Sequence, residues 1–142
     1  EALGELFSKA TNLTVSEKTE DGLAWLSTNV QNRENYKNDP LCGFTFTIGG
    51  YRDLFALANE ASSRQWASLV PNNLPILIIS GAHDPVGLNG KGVISVSDNL
   101  TLAGKEPTVI LYPTDRHEIL NEDDKDRVYN DVLSFLNSTY IS

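Results

Sequence analysis

The sequence is short of cysteine, histidine, positive charge and long apolar runs, and each shortage excludes something. Cys42 is the single cysteine in 142 residues, so an internal disulfide is excluded and a reducing cytosol suits the chain. The longest apolar run, LPILIIS at 74–80, is strand-sized, well short of the roughly 20 residues that span a bilayer. Eleven Lys and Arg against 19 Asp and Glu leave a net charge of −8 and a pI of about 4.6. That balance repels a phosphate backbone, so nucleic acid is not an expected partner. No charged-then-apolar leader is visible, and a cytoplasmic location is expected. The sequence begins at Glu1, not methionine, which implies processing or a piece of something longer. Three N-x-S/T sequons, at Asn12, Asn99 and Asn137, carry no argument in a chain this rich in Asn, Ser and Thr.

What is present suffices for one ordinary domain with a real core. Leu3, Leu6 and Phe7 share one face of a helix over 1–10, and residues 11–38 read as short helices and loops. DPLCGFTFTIGG at 39–50 opens with a turn and puts Phe44 and Phe46 on one face of an extended segment. Tyr51, Leu54, Phe55 and Ala58 fall at helical spacing, and helical character continues, broken, to Val70. LPILIIS (74–80) and PTVILYP (107–113) read as strands buried on both faces. Between them, Val93, Val96, Leu100 and Ala103 recur at helical intervals, with Gly104 as the stop. A last helix is expected over 121–137, capped by Asn121, with three acids in its first turn and a stripe of Val128, Val132, Phe135 and Leu136. Strand, helix, strand, helix implies an α/β fold with a parallel sheet. Two strands alone leave that sheet incomplete and its edge open.

In open α/β sheets, functional residues lie on loops at the carboxyl ends of the strands. Asp84 stands four residues past Ser80, and His117 four past Pro113. Adjacent parallel strands would bring these loops side by side, where a carboxylate can accept the imidazole Nδ1–H and fix its tautomer. Each residue also has a plainer reading: Asp84 before Pro85 as a turn former, His117 as an ordinary loop histidine. Together, and in this order, they favour an acid–base relay. His83 is read as structural, because its neighbour Asp84 cannot readily orient it while facing another loop. GLNGKG (87–92) is not a phosphate loop, since Pro85 stands where the first glycine belongs and Gly92 replaces the hydroxyl residue. His83, Asp84, His117 and Glu118 lack the spacing of a metal site, and no metal or cofactor is expected.

The motifs SG-x-x-DPVG (80–87) and YP-x-x-RHE-x-LNE (112–122), at this separation, resemble the C-terminal third of an α/β-hydrolase. The branch is the lysophospholipase and monoacylglycerol-lipase-like group, filed with the serine aminopeptidases. YKNDPLCGFTFT (36–47) resembles the segment where that group's lid rejoins the core. The resemblance covers roughly residues 22–138 and implies a Ser–Asp–His hydrolase, with Asp84 as the acid and His117 as the base. Residues 1–50 would derive from the lid and its return to the core, and residues 51–142 from the core. Thr114 and Asp115 depart from the small residues expected there; Asp115 would either raise the pKa of His117 or cap the loop.

The nucleophile is missing. None of the serines stands in the G-x-S-x-G elbow, and the oxyanion hole that depends on it is missing too. Three readings follow. One is the C-terminal part of a hydrolase of lysophospholipid or monoacylglycerol esters, inert alone. Its partners would be an acyl-ester or lipid substrate and the missing N-terminal half of the hydrolase, or a second copy covering the open sheet edge. Phe44 and Phe46, with Trp25, would offer apolar surface to the acyl chain. The second reading is a non-catalytic binding module on the same scaffold, and the third a peptidase of the same architecture.

Overall fold

The computed structural model describes residue 15 and residues 17–140; the helix expected over 1–10 lies outside them. The described elements are α1 (Val30–Asn38), α2 (Ile48–Ala61), α3 (Arg64–Leu69), β1 (Leu77–Gly81), α4 (Lys91–Leu102), β2 (Thr108–Tyr112) and α5 (Lys125–Tyr140). β1 and β2 pair in parallel, from Leu77 opposite Thr108 to Gly81 opposite Tyr112, so both chains leave the sheet at the same end.

Side-chain caps set the starts of three helices. Asn29, Thr47 and Ser63 accept the backbone N–H of Asn32, Gly50 and Trp66 and open α1, α2 and α3. The Thr47 cap starts α2 at Ile48, inside the segment expected to be extended. α4 ends where expected: Gly104 takes the left-handed conformation, φ 77°, that a side chain resists.

Two expected boundaries move. β1 begins at Leu77, not residue 74, because Pro75 has no N–H to give a ladder and disfavours regular helix before it; Leu74 instead donates to Pro71 O in a turn, 3.2 Å. The last helix begins at Lys125, not Asn121. Residues 119–124 form turns, so Asn121 is not a cap. Of the acids expected in its first turn, Glu122 points inward and is 1% exposed.

The core beneath the sheet end is Tyr112, Ile119 and Val128, with Ile79 and Ile110 packed against it. The Tyr112 hydroxyl donates to Asp131 Oδ2 on α5, 3.1 Å. Burial and that bond push its pKa to about 12. The strands are less covered than their apolar sequence implies: residues 77–80 and 109–111 are half-buried. Among the described residues the sheet has two strands, so each has one unpaired edge. Leu54, Phe55 and Leu57 of α2 and Leu133 and Leu136 of α5 are exposed. Large apolar side chains exposed together on one helix are of a kind that proteins often cover. No helix among the described residues is long and apolar enough to cross a membrane.

Leu100 is 1% exposed and Leu120 46%, which separates their expected costs. In the intact protein, Leu100→Ala should lose about 2–5 kcal/mol by urea unfolding. Leu120→Ala should change stability by less than about 0.5 kcal/mol.

Candidate active site

The chain leaving β1 turns sharply at residues 81–88. Asp84 donates its N–H to Gly81 O (3.2 Å) and accepts Asn89 N–H on its carbonyl (2.8 Å). Its carboxylate divides its work: Oδ1 accepts Val86 N–H at 2.9 Å, and Oδ2 lies 3.1 Å from His117 Nδ1. Asp84 is therefore both a turn former and the partner of His117. Leu88 and Asn89 beside it are left-handed, φ 56° and 52°, a costly conformation for leucine.

His117 arrives from the other loop, which lies directly on Gly81. A Cβ at Gly81 would collide with the carbonyl oxygens of Asp115 and Arg116, so only glycine admits this approach. Two bonds lock it: Ala82 N–H to Tyr112 O, 2.8 Å, and His83 N–H to Asp115 O, 3.0 Å. The His83 backbone thus serves the loop contact while the residue itself is exposed.

The Asp84 side chain is 10% exposed and that of His117 39%. The hydrogen bond to Asp84 raises the His117 pKa above its ordinary 6.5; burial works against it, and the charges of Asp84 and Glu118 add to the rise. With Nδ1–H held by Asp84, Nε2 is the nitrogen left for proton exchange. Glu118 is itself fixed, its Oε2 accepting from Asn32 (2.7 Å) and Asn121 (3.1 Å).

Asp115 does not act on His117. Its Oδ1 accepts the Thr114 hydroxyl at 3.0 Å, while Oδ2 is buried without a hydrogen-bond partner. Burial and the neighbouring Asp124 and Glu122 carboxylates push its pKa to about 6. Its loop role is carried by the backbone carbonyl.

Phe44 and Phe46 meet edge-on at 5.4 Å, and Phe46 continues to Tyr51 at 5.5 Å and Tyr51 to Phe55 at 6.2 Å. Phe44 and Phe46 are both exposed. The ring that packs on His117 is Trp25, at 5.3 Å with the planes tilted by 47°. Sequence reasoning missed two residues of this site. Arg116 donates to Ala24 O (2.5 Å) and to Glu17 Oε2 (2.6 Å), tying the N-terminal segment to the histidine loop. Glu122 does the same from beneath, with Ser27, Thr28 and Asn29. The one available signal was position: both lie in the RHE-x-LNE stretch around His117. Among the described residues, no group of three or more His, Cys, Asp or Glu could hold a metal ion.

The family model described as Serine aminopeptidase, S33, matches residues 2–124. The crystal structure of a highly thermostable carboxyl esterase from Bacillus coagulans in complex with glycerol superposes with a TM-score of 0.85 and 33% identity, over 97% of this chain and 45% of that one. A lipase in its open form superposes with a TM-score of 0.74 and 24% identity, over 94% of this chain and 44% of that one, a likeness of fold. The chain thus spans less than half the length of either protein. No curated protein sequence matches it significantly.

Asp84→Asn should lower the His117 pKa towards 6.5, read by NMR titration of the assigned imidazole. Gly81→Ala should act in the same direction by forcing the loops apart. Because the folded protein holds the His117 proton more tightly than the unfolded chain, the pair adds stability below pH 6.5 that is lost as pH rises through the folded value. Asp115 titrates with the same sign and lower down. Its contribution is present below 3.8 and lost as pH rises through about 6. Relative to the native protein, Asp115→Asn should therefore gain unfolding free energy between about pH 4 and about pH 7.

Proposed function

The chain belongs to the serine aminopeptidase, S33 family of α/β-hydrolases, and from that premise we propose that it supplies the acid and base of a serine hydrolase cleaving carboxylic esters. The observation that carries the proposal is the 3.1 Å contact between Asp84 Oδ2 and His117 Nδ1, made by loops leaving the same end of two parallel strands. In this reading His117 Nε2 takes the proton of a serine hydroxyl as its oxygen attacks the ester carbonyl. It then gives that proton to the departing alcohol, leaving an acyl-enzyme. Water, deprotonated by the same nitrogen, then attacks the acyl carbonyl, and that proton passes to the serine oxygen as the acid is released. Asp84 keeps the proton on Nδ1 and stabilises the imidazolium formed in each step.

The serine would lie outside residues 1–142, on a G-x-S-x-G turn whose backbone supplies part of the oxyanion hole. The chain alone would then be inactive. Support comes from its own serines, none of which has that setting, and from the greater length of both structural relatives. The remainder of the fold would pair the open sheet edge and cover the exposed apolar faces. Residues 1–50 would be lid-derived and residues 51–142 core. The substrate class we propose is a lysophospholipid or monoacylglycerol in a cytoplasmic setting, its acyl chain lying on Phe44 and Phe46. An ester fits better than an amide because the 33% identical relative is a carboxyl esterase; the family's description keeps a peptide substrate as the second reading.

In the intact protein, His117→Ala should reduce turnover of a monoacylglycerol or a p-nitrophenyl ester on the order of 10⁶-fold with the fold retained by circular dichroism. Asp84→Asn should reduce it about 10⁴-fold. Native-like activity in a folded His117→Ala protein would contradict the proposal. Release of aminoacyl amides in preference to esters would select the peptidase reading.

A further inference from the structure

We propose that Glu122 is a positioning residue for His117, acting through the backbone on both sides of the histidine and through the Trp25 ring. For its kinetic readout this rests on the function proposed above.

Glu122 is buried and accepts from both oxygens. Oε1 receives the N–H of Arg116 (3.1 Å) and of Thr28 (3.1 Å). Oε2 receives the Ser27 hydroxyl (2.9 Å), the Thr28 N–H (3.0 Å) and hydroxyl (2.6 Å), and the Asn29 N–H (3.2 Å). None of the ion pairs among the described residues involves it. Carboxylate oxygens accept and do not donate, and the donors that face these two are all neutral: the backbone N–H groups of Thr28, Asn29 and Arg116 and the hydroxyls of Ser27 and Thr28. Burying a charge this way is expensive unless the ring of donors is complete.

What the ring holds is specific. Arg116, the residue before His117, donates its N–H to Glu122. Glu118, the residue after, donates its N–H to Leu26 O at 2.9 Å, next to the Ser27–Thr28–Asn29 run that Glu122 grips. Trp25, one residue further back, packs on the imidazole itself. The histidine is thus constrained before, after and across its ring by one short segment, which Glu122 binds to the histidine loop from the 27–29 side while the Arg116 guanidinium holds Ala24 O. A carboxylate serving only as an anchor for α5 would not need to reach Arg116 N–H.

The test compares Glu122→Gln with the native intact protein by kcat, KM and the NMR titration of the assigned His117 ring. The amide turns one acceptor into a donor, so either the Arg116 N–H loses its acceptor on one side or the Ser27 and Thr28 hydroxyls lose theirs on the other. The expected result is a kcat lower by roughly 10- to 100-fold with KM within about threefold, and a His117 pKa displaced towards its ordinary value as the Asp84 contact loosens. A folded Glu122→Gln protein with native kcat and native His117 titration, altered only in melting temperature, would overturn the proposal. Should that variant not fold, Ser27→Ala and Thr28→Val remove one hydroxyl donor each and leave the charge in place. They should give smaller changes of the same kind, and native values in both would overturn it equally. The titration needs no substrate: a native protein without ester hydrolase activity would defeat the function proposed above, while the His117 pKa of Glu122→Gln still decides this one.

Discussion

The closeness of two backbones at Gly81 is the constraint on which the site depends. Parallel pairing brings the ends of β1 and β2 together, but neighbouring strands do not by themselves bring two side chains within hydrogen-bond distance. That requires the loop after β2 to fold back over the last residue of β1, and the carbonyls of Asp115 and Arg116 occupy the space where a side chain at residue 81 would stand. The same contact lets the His83 N–H reach Asp115 O. Asp84 and His117 then meet as neighbours on two loops that have been pinned together at their base.

Three buried acids surround this contact, and each solves the cost of burial differently. Asp84 divides its two oxygens between a turn N–H and an imidazole, and so orients the ring. Glu122 is surrounded by neutral donors and serves as a node joining two segments. Asp115 has one oxygen without a partner and two carboxylates nearby, and its pKa of about 6 makes a proton its partner over the acid range. Orientation, tethering and proton uptake thus occur within a few residues of His117, set by the donors each carboxylate finds.

Much of this was legible in the sequence. The two strands, the helix between them and its glycine stop follow from apolar runs and period, and the positions of Asp84 and His117 past the strands anticipate their meeting. What escaped was decided by long-range contacts. Glu122 reads locally as an acid in a helix's first turn; its partners at 27–29 stand more than 90 residues away, and no local pattern announces them. Asn121 has the chemistry of a cap but lies in the turns that let Glu122 face inward. Trp25 lies in GLAWLS at 22–27, a short apolar interruption with no clear period, and only the fold places its ring on His117. The half-burial of both strands was likewise invisible, because an apolar run encodes the cover a strand requires and not whether that cover is at hand.

In the function proposed here, Asp84 and His117 activate a serine. The most direct measurement is labelling of the intact protein with a fluorophosphonate, which reacts with serines activated by a base, followed by peptide mass spectrometry. The expected result is one labelled serine, in a G-x-S-x-G setting outside residues 1–142, and loss of labelling in the folded His117→Ala protein. A native protein that takes up no label, or one labelled equally well without His117, would contradict it.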